Sequence, residues 1–414
     1  MRDDFLALYL DYNSDNETPK FFTRWACLSL LAAYLGRTVN FKLGPFDIYP
    51  NMYCMLIGSP GTRKSTAIKT AKLILSQVGY TTFSAERTSK EKFLLDLQGE
   101  QDEGANGFDI LDKNLFGNIN NTDAAEMYIA ADEFNDYIGN GNIEFISLLG
   151  SLWDFKGTYT NRIKNSKSVA INNPTINIFG GNTQSGFSLA FPPEIIGQGF
   201  FSRLLLIYGE PSGKKITFPS SPSTEKTKEL LATLVRIKNT VVGEIILDSD
   251  ATEILDYIYK SWGGIDDVRF EHYSNRRFTH LLKLCLLCAA LRCSTVVDKS
   301  DVIYANTILT HTEHLMPKAL GEFGKAKHSD VSHKVVQLLD SAHTAMVATD
   351  IWKHVHNDLE KMEQLMEILM NLKRADKIQV AQGGFLAKKK VIREASNGTV
   401  DFSLLTEEER NYHV

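Results

Sequence analysis

Apolar runs broken by polar, glycine-rich stretches divide this chain into helices and buried strands. Residues around Phe5–Tyr12 and Phe21–Leu35 predict two short helices, followed by an extended stretch to Asp47-Ile-Tyr-Pro50. Met52–Ile57 (MYCMLI) is a continuous apolar run ending in a glycine-rich turn, the pattern of a strand buried on both faces. Ser65–Val78 then carries apolar positions at helical spacing, and Met127–Ala131, Ile176–Phe179 and Leu204–Tyr208 read as three further buried strands. Helical segments lie between the first three strands, which predicts an α/β core with a mostly parallel sheet. Residues 99–124, rich in Gly, Asn and Asp, read as a surface insertion, and a Pro/Ser/Gly-rich stretch, Pro211–Pro222, closes the unit.

From Thr224 to Gly324 the pattern is helical, with its strongest periodicity in Phe278–Arg292. A polar linker (Gly321–Ser329) leads to a small C-terminal unit. There Val331–Ser341 predicts a helix, Thr344–Val347 an extended piece, Asp350–His356 a helix that Thr349 would cap, and Leu359–Arg374 a longer helix. Ile378–Lys390 places a Gly383-Gly384 turn between two short strands, so the unit reads as a winged helix. The expected divisions are a helical segment at 1–50, an ATPase core at 51–222, a helical lid at 223–325, the winged helix at 330–394, and a polar, acidic, mobile tail at 395–414.

Composition narrows this picture only modestly. A chain of 414 residues holds two or three cores, and 43% hydrophobic with 23% charged residues is ordinary for a globular protein. The net charge of −5 does not exclude nucleic acid, because basic residues can concentrate on one face. The five cysteines lie in apolar runs, and their odd number fits no disulfide framework. Cys285 and Cys288 form a CxxC without a second pair, so core thiols in a reducing compartment are expected over a zinc site. The chain opens without a signal-peptide pattern and has no apolar run of about 20 residues, so a cytoplasmic protein without membrane spans is expected.

The candidate chemistry starts at Gly58-Ser-Pro60-Gly61-Thr62-Arg63-Lys64-Ser65, between a predicted strand and a predicted helix. Backbone N–H groups at such a turn and helix start converge on phosphate oxygens. Gly58, Pro60, Gly61, Thr62, Arg63 and Thr66 would line the ATP phosphates, Lys64 would reach the β and γ groups, and Ser65 would hold Mg2+. Arg63 departs from the pattern, since this position ordinarily takes a glycine with its permissive backbone. The second buried strand ends in Asp132-Glu133, where Asp132 suits Mg2+ and Glu133 suits polarising an attacking water. Asn182 ends the next strand after Gly180-Gly181, placed to bond water or the γ-phosphate or to serve the fold alone. Arg203 opens the fourth strand, as a surface ion-pair partner or as a finger in a neighbour's site, worth ~10³–10⁵ in rate where such fingers act.

With these elements in this order, residues 45–320 resemble the AAA+ ATPases, and among them the MCM-like and phage or plasmid replicative helicases. Ser202-Arg203 before an apolar strand looks like the MCM finger motif. Ser274-Asn-Arg276-Arg-Phe-Thr-His-Leu-Leu-Lys-Leu, with Ala289–Arg292 and Val297–Ala305, is similar to the MCM lid, where Arg276 matches the sensor 2 arginine. The resemblance implies a P-loop (AAA+-type) ATPase core with a helical lid, assembled as a homo-oligomeric, hexameric ring that shares ATP and Mg2+ between subunits. It also implies a DNA-touching hairpin before the Asn182 strand. There Lys156, Arg162, Lys164 and Lys167 surround Tyr159 without an acid, which suits single-stranded or forked DNA or, equally, a solvated basic hairpin.

In the C-terminal unit, Lys373, Arg374, Lys377, Lys388, Lys389, Lys390 and Arg393 face one acid, Asp376, so the wing would touch DNA. The acidic Glu360, Glu363 and Glu367 argue against burying the long helix in a groove. An N-terminal collar and a fused primase domain are both missing from the pattern, which leaves room for a replication partner protein. The expected function is an ATP-driven DNA translocase or helicase of a phage or mobile element. The alternative is an ATP-switched loader or origin-binding factor without unwinding activity; a small-molecule kinase lacks an acceptor-site constellation.

Overall fold

The computed structural model describes residues 4–99, 124–161, 168–197, 199–321, 323, 329–342, 344–359, 361–374, 378–381, 383–387 and 398–410. The chain divides into two compact units, one of residues 1–323 together with 396–414, the other of residues 324–395.

The first unit is α/β. Its central sheet is built from β3 (Tyr53–Ile57), β4 (Glu126–Ala131), β7 (Thr175–Asn182) and β8 (Leu204–Tyr208). These strands lie in the order β4-β7-β3-β8 with every pairing parallel. All five residues of β3 and all eight of β7 are buried. That explains their unbroken apolar runs, since helices cover both faces of such a sheet. One of them is the helix Lys20–Leu35, in which every residue after Lys20 is buried, so it belongs to the core.

A second four-stranded sheet revises the expected plan. β1 (Val39–Leu43) and β2 (Phe46–Ile48) form a hairpin, and β1 pairs in parallel with β9 (Gly243–Leu247), which pairs with β10 (Val296–Val297). The stretch from Thr224 onward is therefore not wholly helical, and residues 39–48 share a sheet with the expected lid. The exposed residues of β9 hid its strand character, because Ile245 alone is fully buried there. β10 is only two residues long. Three helices of this region are long, as the helical pattern suggests: Thr224–Thr240, Arg277–Leu291 and Lys299–Leu320. The last starts on a capping box between Asp298 and Asp301.

The tail from 395 was expected to be mobile; its described part, 398–410, packs on the first unit. Asn306 Nδ2 donates to the Thr399 carbonyl (2.9 Å), and the Asp401 N–H donates to Thr307 Oγ1 (2.9 Å). Glu409, fully buried, takes two charge-assisted bonds from Arg24, at 2.6 and 2.7 Å. Burial works against the Glu409 carboxylate, yet the Arg24 guanidinium holds it below its ordinary range. An acidic composition suggested solvent; one buried arginine supplies a reason for the acid that composition cannot reveal.

The second unit comprises helices Ser329–Ala342, Ala348–Val355 and Met362–Arg374, with the antiparallel hairpin β11 (Ile378–Ala381) and β12 (Gly384–Ala387). Val335, Leu339, Ile351, Leu365, Leu369 and Ile378 are its core. Val347, rather than Thr349, occupies the cap position of the second helix. Met346 exchanges two backbone bonds with Phe385, adding a third short strand segment to the hairpin. Gly383 turns the hairpin with φ +77°, and a side chain at Gly384 would collide with the Met346 carbonyl.

Candidate functional site at the strand ends

Because the four central strands are parallel, their C-terminal ends share one edge of the sheet, the place where open α/β sheets bind ligands. Asn182 ends β7, Asp132 directly follows β4, and Lys64 opens the helix that the loop after β3 leads into. The loop 58–63 joins β3 to the helix Lys64–Gln77. Gly58 is required where it stands: a Cβ there would lie 2.6 Å from the Gly209 carbonyl oxygen. Gly61 has φ +84°, and Arg63 also takes a left-handed conformation, φ 63° and ψ 27°. The position thus demands the backbone that glycine ordinarily supplies, and an arginine adopts it at a cost of roughly 1–2 kcal/mol. Its guanidinium turns away from the loop, with Nε donating to Glu17 Oε2 at 2.9 Å.

Inside the loop, the Thr62 hydroxyl donates to the Ser59 carbonyl and is fully buried. The Lys64 ammonium donates to the carbonyls of Gly58 (2.8 Å) and Ser59 (3.0 Å). Burial pushes its pKa down, with Glu133 pulling it part of the way back. The helix that Lys64 begins has no side-chain cap and no acid in its first turn. Its free N–H groups and positive dipole end are thereby left to an anion. Ser65 is half-buried in that first turn, while Thr66 and Pro60 are exposed.

The acidic strand end lies two strands away, beyond β7. Asp132 pairs with Lys69 of the same helix at 2.8 Å, with the lysine largely solvent-exposed. Glu133 is exposed. Gly181 lets these strands close up, because a Cβ on it would lie 2.5 Å from the Asp132 carbonyl oxygen. Asn182 is fully buried, and its amide is engaged: Nδ2 donates to Asn135 Oδ1 (2.6 Å) and Oδ1 accepts the Thr183 N–H (2.9 Å). Asn135 in turn donates to the Gly186 carbonyl (2.7 Å). The amide pair braces the end of β7 to the acidic turn after β4. Sequence reasoning missed Asn135, whose only signal is its place three residues after Asp132.

Arg203 and Arg276 stand elsewhere. In the register of β3 and β8, Leu204 is opposite Tyr53 and Tyr208 opposite Ile57. Arg203 is thus level with the start of β3, six residues or about 20 Å of strand from the loop at Gly58. Its guanidinium donates to the Gly199 carbonyl and lies over Trp153, 5.7 Å from the ring centroid. Burial lowers its pKa, and the nearby Arg276 guanidinium adds to this. Of the two adjacent arginines, Arg277 is consumed by the fold, bonding buried Glu313 at 2.8 and 3.0 Å and Asn306 at 2.8 Å. Arg276 remains half-exposed. Lys283 sits at the same strand-start end, donating to the Tyr49 carbonyl, Asn51 and Asp154.

Tyr159 lies on β5 (Thr158–Asn161), which pairs antiparallel with β6 (Val169–Asn172) ahead of β7. It is half-buried, edge-on to Phe155 at 5.6 Å, so its ring is partly spent on packing. Arg162, Lys164 and Lys167, and in the second unit Lys388, Lys389 and Lys390, lie outside the described residues.

Among the described residues no cluster of three or more His, Cys, Asp or Glu side chains could by itself hold a metal. Cys285 and Cys288 are buried within one helix and form no disulfide, and burial pushes the Cys285 thiol upward. No helix among the described residues is long and apolar enough to cross a membrane. No protein-family model matches the chain, and no curated protein matches it.

Proposed function

We propose that this chain is a P-loop ATPase of the AAA+ type that works as an oligomeric, hexameric DNA translocase or helicase in replication. The observation that carries the reading is the loop 58–63. Its two glycines and left-handed Arg63 deliver the chain into an uncapped helix start, and the Lys64 ammonium lies across its carbonyls. Carbonyl oxygens are weak partners for an ammonium compared with phosphate oxygens, so ATP would draw Lys64 off them. Bound Mg2+ would neutralise phosphate charge, and Ser65 with Asp132 would hold it, a donor set that fits an ion which keeps waters and substrate oxygens. The Asp132–Lys69 pair is exposed enough to yield its carboxylate at little cost. Glu133, exposed at the same strand end, would take a proton from the attacking water. Asn182 and Asn135 hold the two strand ends in register.

Arg203 and Arg276 cannot serve the loop of their own chain across about 20 Å of sheet. That separation supports a site completed by a second copy, with both arginines presented to the neighbour's nucleotide. The DNA half of the reading rests on the basic stretch around Arg162, Lys164 and Lys167 and on a winged-helix reading of residues 330–394. Three helices, a hairpin and the Met346 bridge support the latter.

The test is a mixing experiment. Arg203→Ala should lose hydrolysis by ~10³-fold or more while retaining nucleotide binding, and mixing it with Lys64→Ala protein should restore turnover. Normal hydrolysis by Arg203→Ala would sink the shared site. ATP-dependent unwinding of a forked duplex supports the motor, whereas nucleotide-dependent binding without unwinding would assign the chain to loading or origin binding instead.

A further inference from the structure

We propose that Glu17 is a positioning residue of the loop 58–63, holding Arg63 in the left-handed conformation that the loop requires. The proposal rests on the nucleotide-binding reading above. Arg63 is the last residue before the helix, so its φ of 63° sets the direction in which Lys64 and the first-turn N–H groups point. An L residue drifts out of this region unless something holds it. Both donors that Arg63 uses, Nε and a terminal guanidinium nitrogen, fall on one oxygen of Glu17. Glu17 is itself anchored: its other oxygen accepts the Ile216 N–H at 2.9 Å, and its carbonyl accepts the Ser212 hydroxyl at 2.7 Å. Two residues earlier, Asp15 takes the Ser220 N–H at 2.8 Å. The turn between the first two helices is thus laced to the stretch after β8, and Arg63 is fastened to that fixed ground. A glycine would need no such fastening, so the carboxylate and the arginine form one device.

This predicts non-additivity. In full-length protein, Mg2+ and a fluorescent ATP analogue are titrated into wild type, Glu17→Gln, Arg63→Gly and the double variant. Glutamine keeps an acceptor for the Ile216 N–H, so the anchoring stretch is preserved. Glu17→Gln should weaken binding roughly tenfold, the loss of one charge-assisted bond. Arg63→Gly should lose clearly less affinity than Glu17→Gln, and adding Glu17→Gln to it should change affinity by less than about twofold. An equal loss in both backgrounds overturns the proposal. So does an Arg63→Gly loss as large as that of Glu17→Gln, which would make the guanidinium itself a phosphate ligand. Amide hydrogen exchange over residues 58–65 without nucleotide separates the two readings. If wild type binds no nucleotide, the ATPase reading falls. Exchange that quickens with Glu17→Gln only in the Arg63 background still supports the positioning role, and an additive pattern overturns it.

Discussion

The two ends of the central sheet treat their cations in opposite ways. At the strand-finish end, Lys64 is bonded to two loop carbonyls, beside a helix start without a side-chain cap. At the strand-start end, Lys283 is fully buried with three oxygen partners, and Arg203, Arg276 and Arg37 crowd close enough to repel it or one another. Aromatic rings absorb part of that charge, since Arg203 and Lys283 both lie over Trp153. One end presents a lysine and an uncapped helix start framed by backbone. The other is a store of positive charge held ready by packing, with Asp154 as the acid that answers Lys283. In a single copy the two are about 20 Å of strand apart, and the proposed shared site would have them meet between copies.

The largest effect that would test this contrast separates two neighbours in sequence. Arg277→Met leaves Glu313 buried without its cation and should cost about 3–5 kcal/mol in denaturant unfolding. Arg276→Ala should change stability by less than about 0.5 kcal/mol while hydrolysis falls. If both variants lose stability equally, Arg276 belongs to the packing and the strand-start end presents one arginine fewer.

An intermediate effect is expected at the other end. Gly181→Ala drives a methyl group to within 2.5 Å of the Asp132 carbonyl oxygen, a backbone atom that cannot rotate away. Unfolding measurements should show a loss of about 1–3 kcal/mol, the range for overpacking. Hydrolysis should fall more than nucleotide affinity, because the acidic turn moves and the loop 58–63 does not. A variant that binds and hydrolyses as wild type would detach Asp132 from the site.

Much of this geometry was legible in the sequence because it is written in continuous patterns. Four buried strands, with the acids, the asparagine and the arginine at their ends, follow from apolar runs and their terminal residues. Leu204–Tyr208 was read to the residue. What escaped was set by partners distant in the chain. β9 is a strand because β1 and β10 flank it, although its own residues are mostly exposed. Glu409 is a core residue because Arg24, 385 positions earlier, is buried opposite it. Arg63 looked like a flaw in the loop; Glu17, which answers it, precedes it by 46 residues in a turn that has no motif. Local pattern specifies elements, whereas long-range charge pairing is invisible until the fold brings the partners together.

The smallest effect concerns pH and again distinguishes the ends. His280 lies in the strand-start cluster, bonded through Nε2 to the Ser202 carbonyl at 3.3 Å and packed between Trp153 and Tyr273. Burial, reinforced by Lys283 and Arg276 and only partly opposed by the Ser202 carbonyl and Asp154, pushes its pKa down to about 3 from the ordinary 6.5. The folded state therefore refuses a proton that the unfolded chain accepts, so stability falls as pH drops below 6.5 and stops falling near 3. The slope approaches about 1.4 kcal/mol per pH unit well below 6.5 and is half that at 6.5, so His280→Gln, which cannot take the proton, should gain about 1 kcal/mol on wild type between pH 6.5 and 5.5. Equal pH dependence in the two proteins would mean that His280 is protonated in the fold. The cluster would then carry a further positive charge, and the store of cations at the strand-start end would be larger and less shielded than the packing indicates.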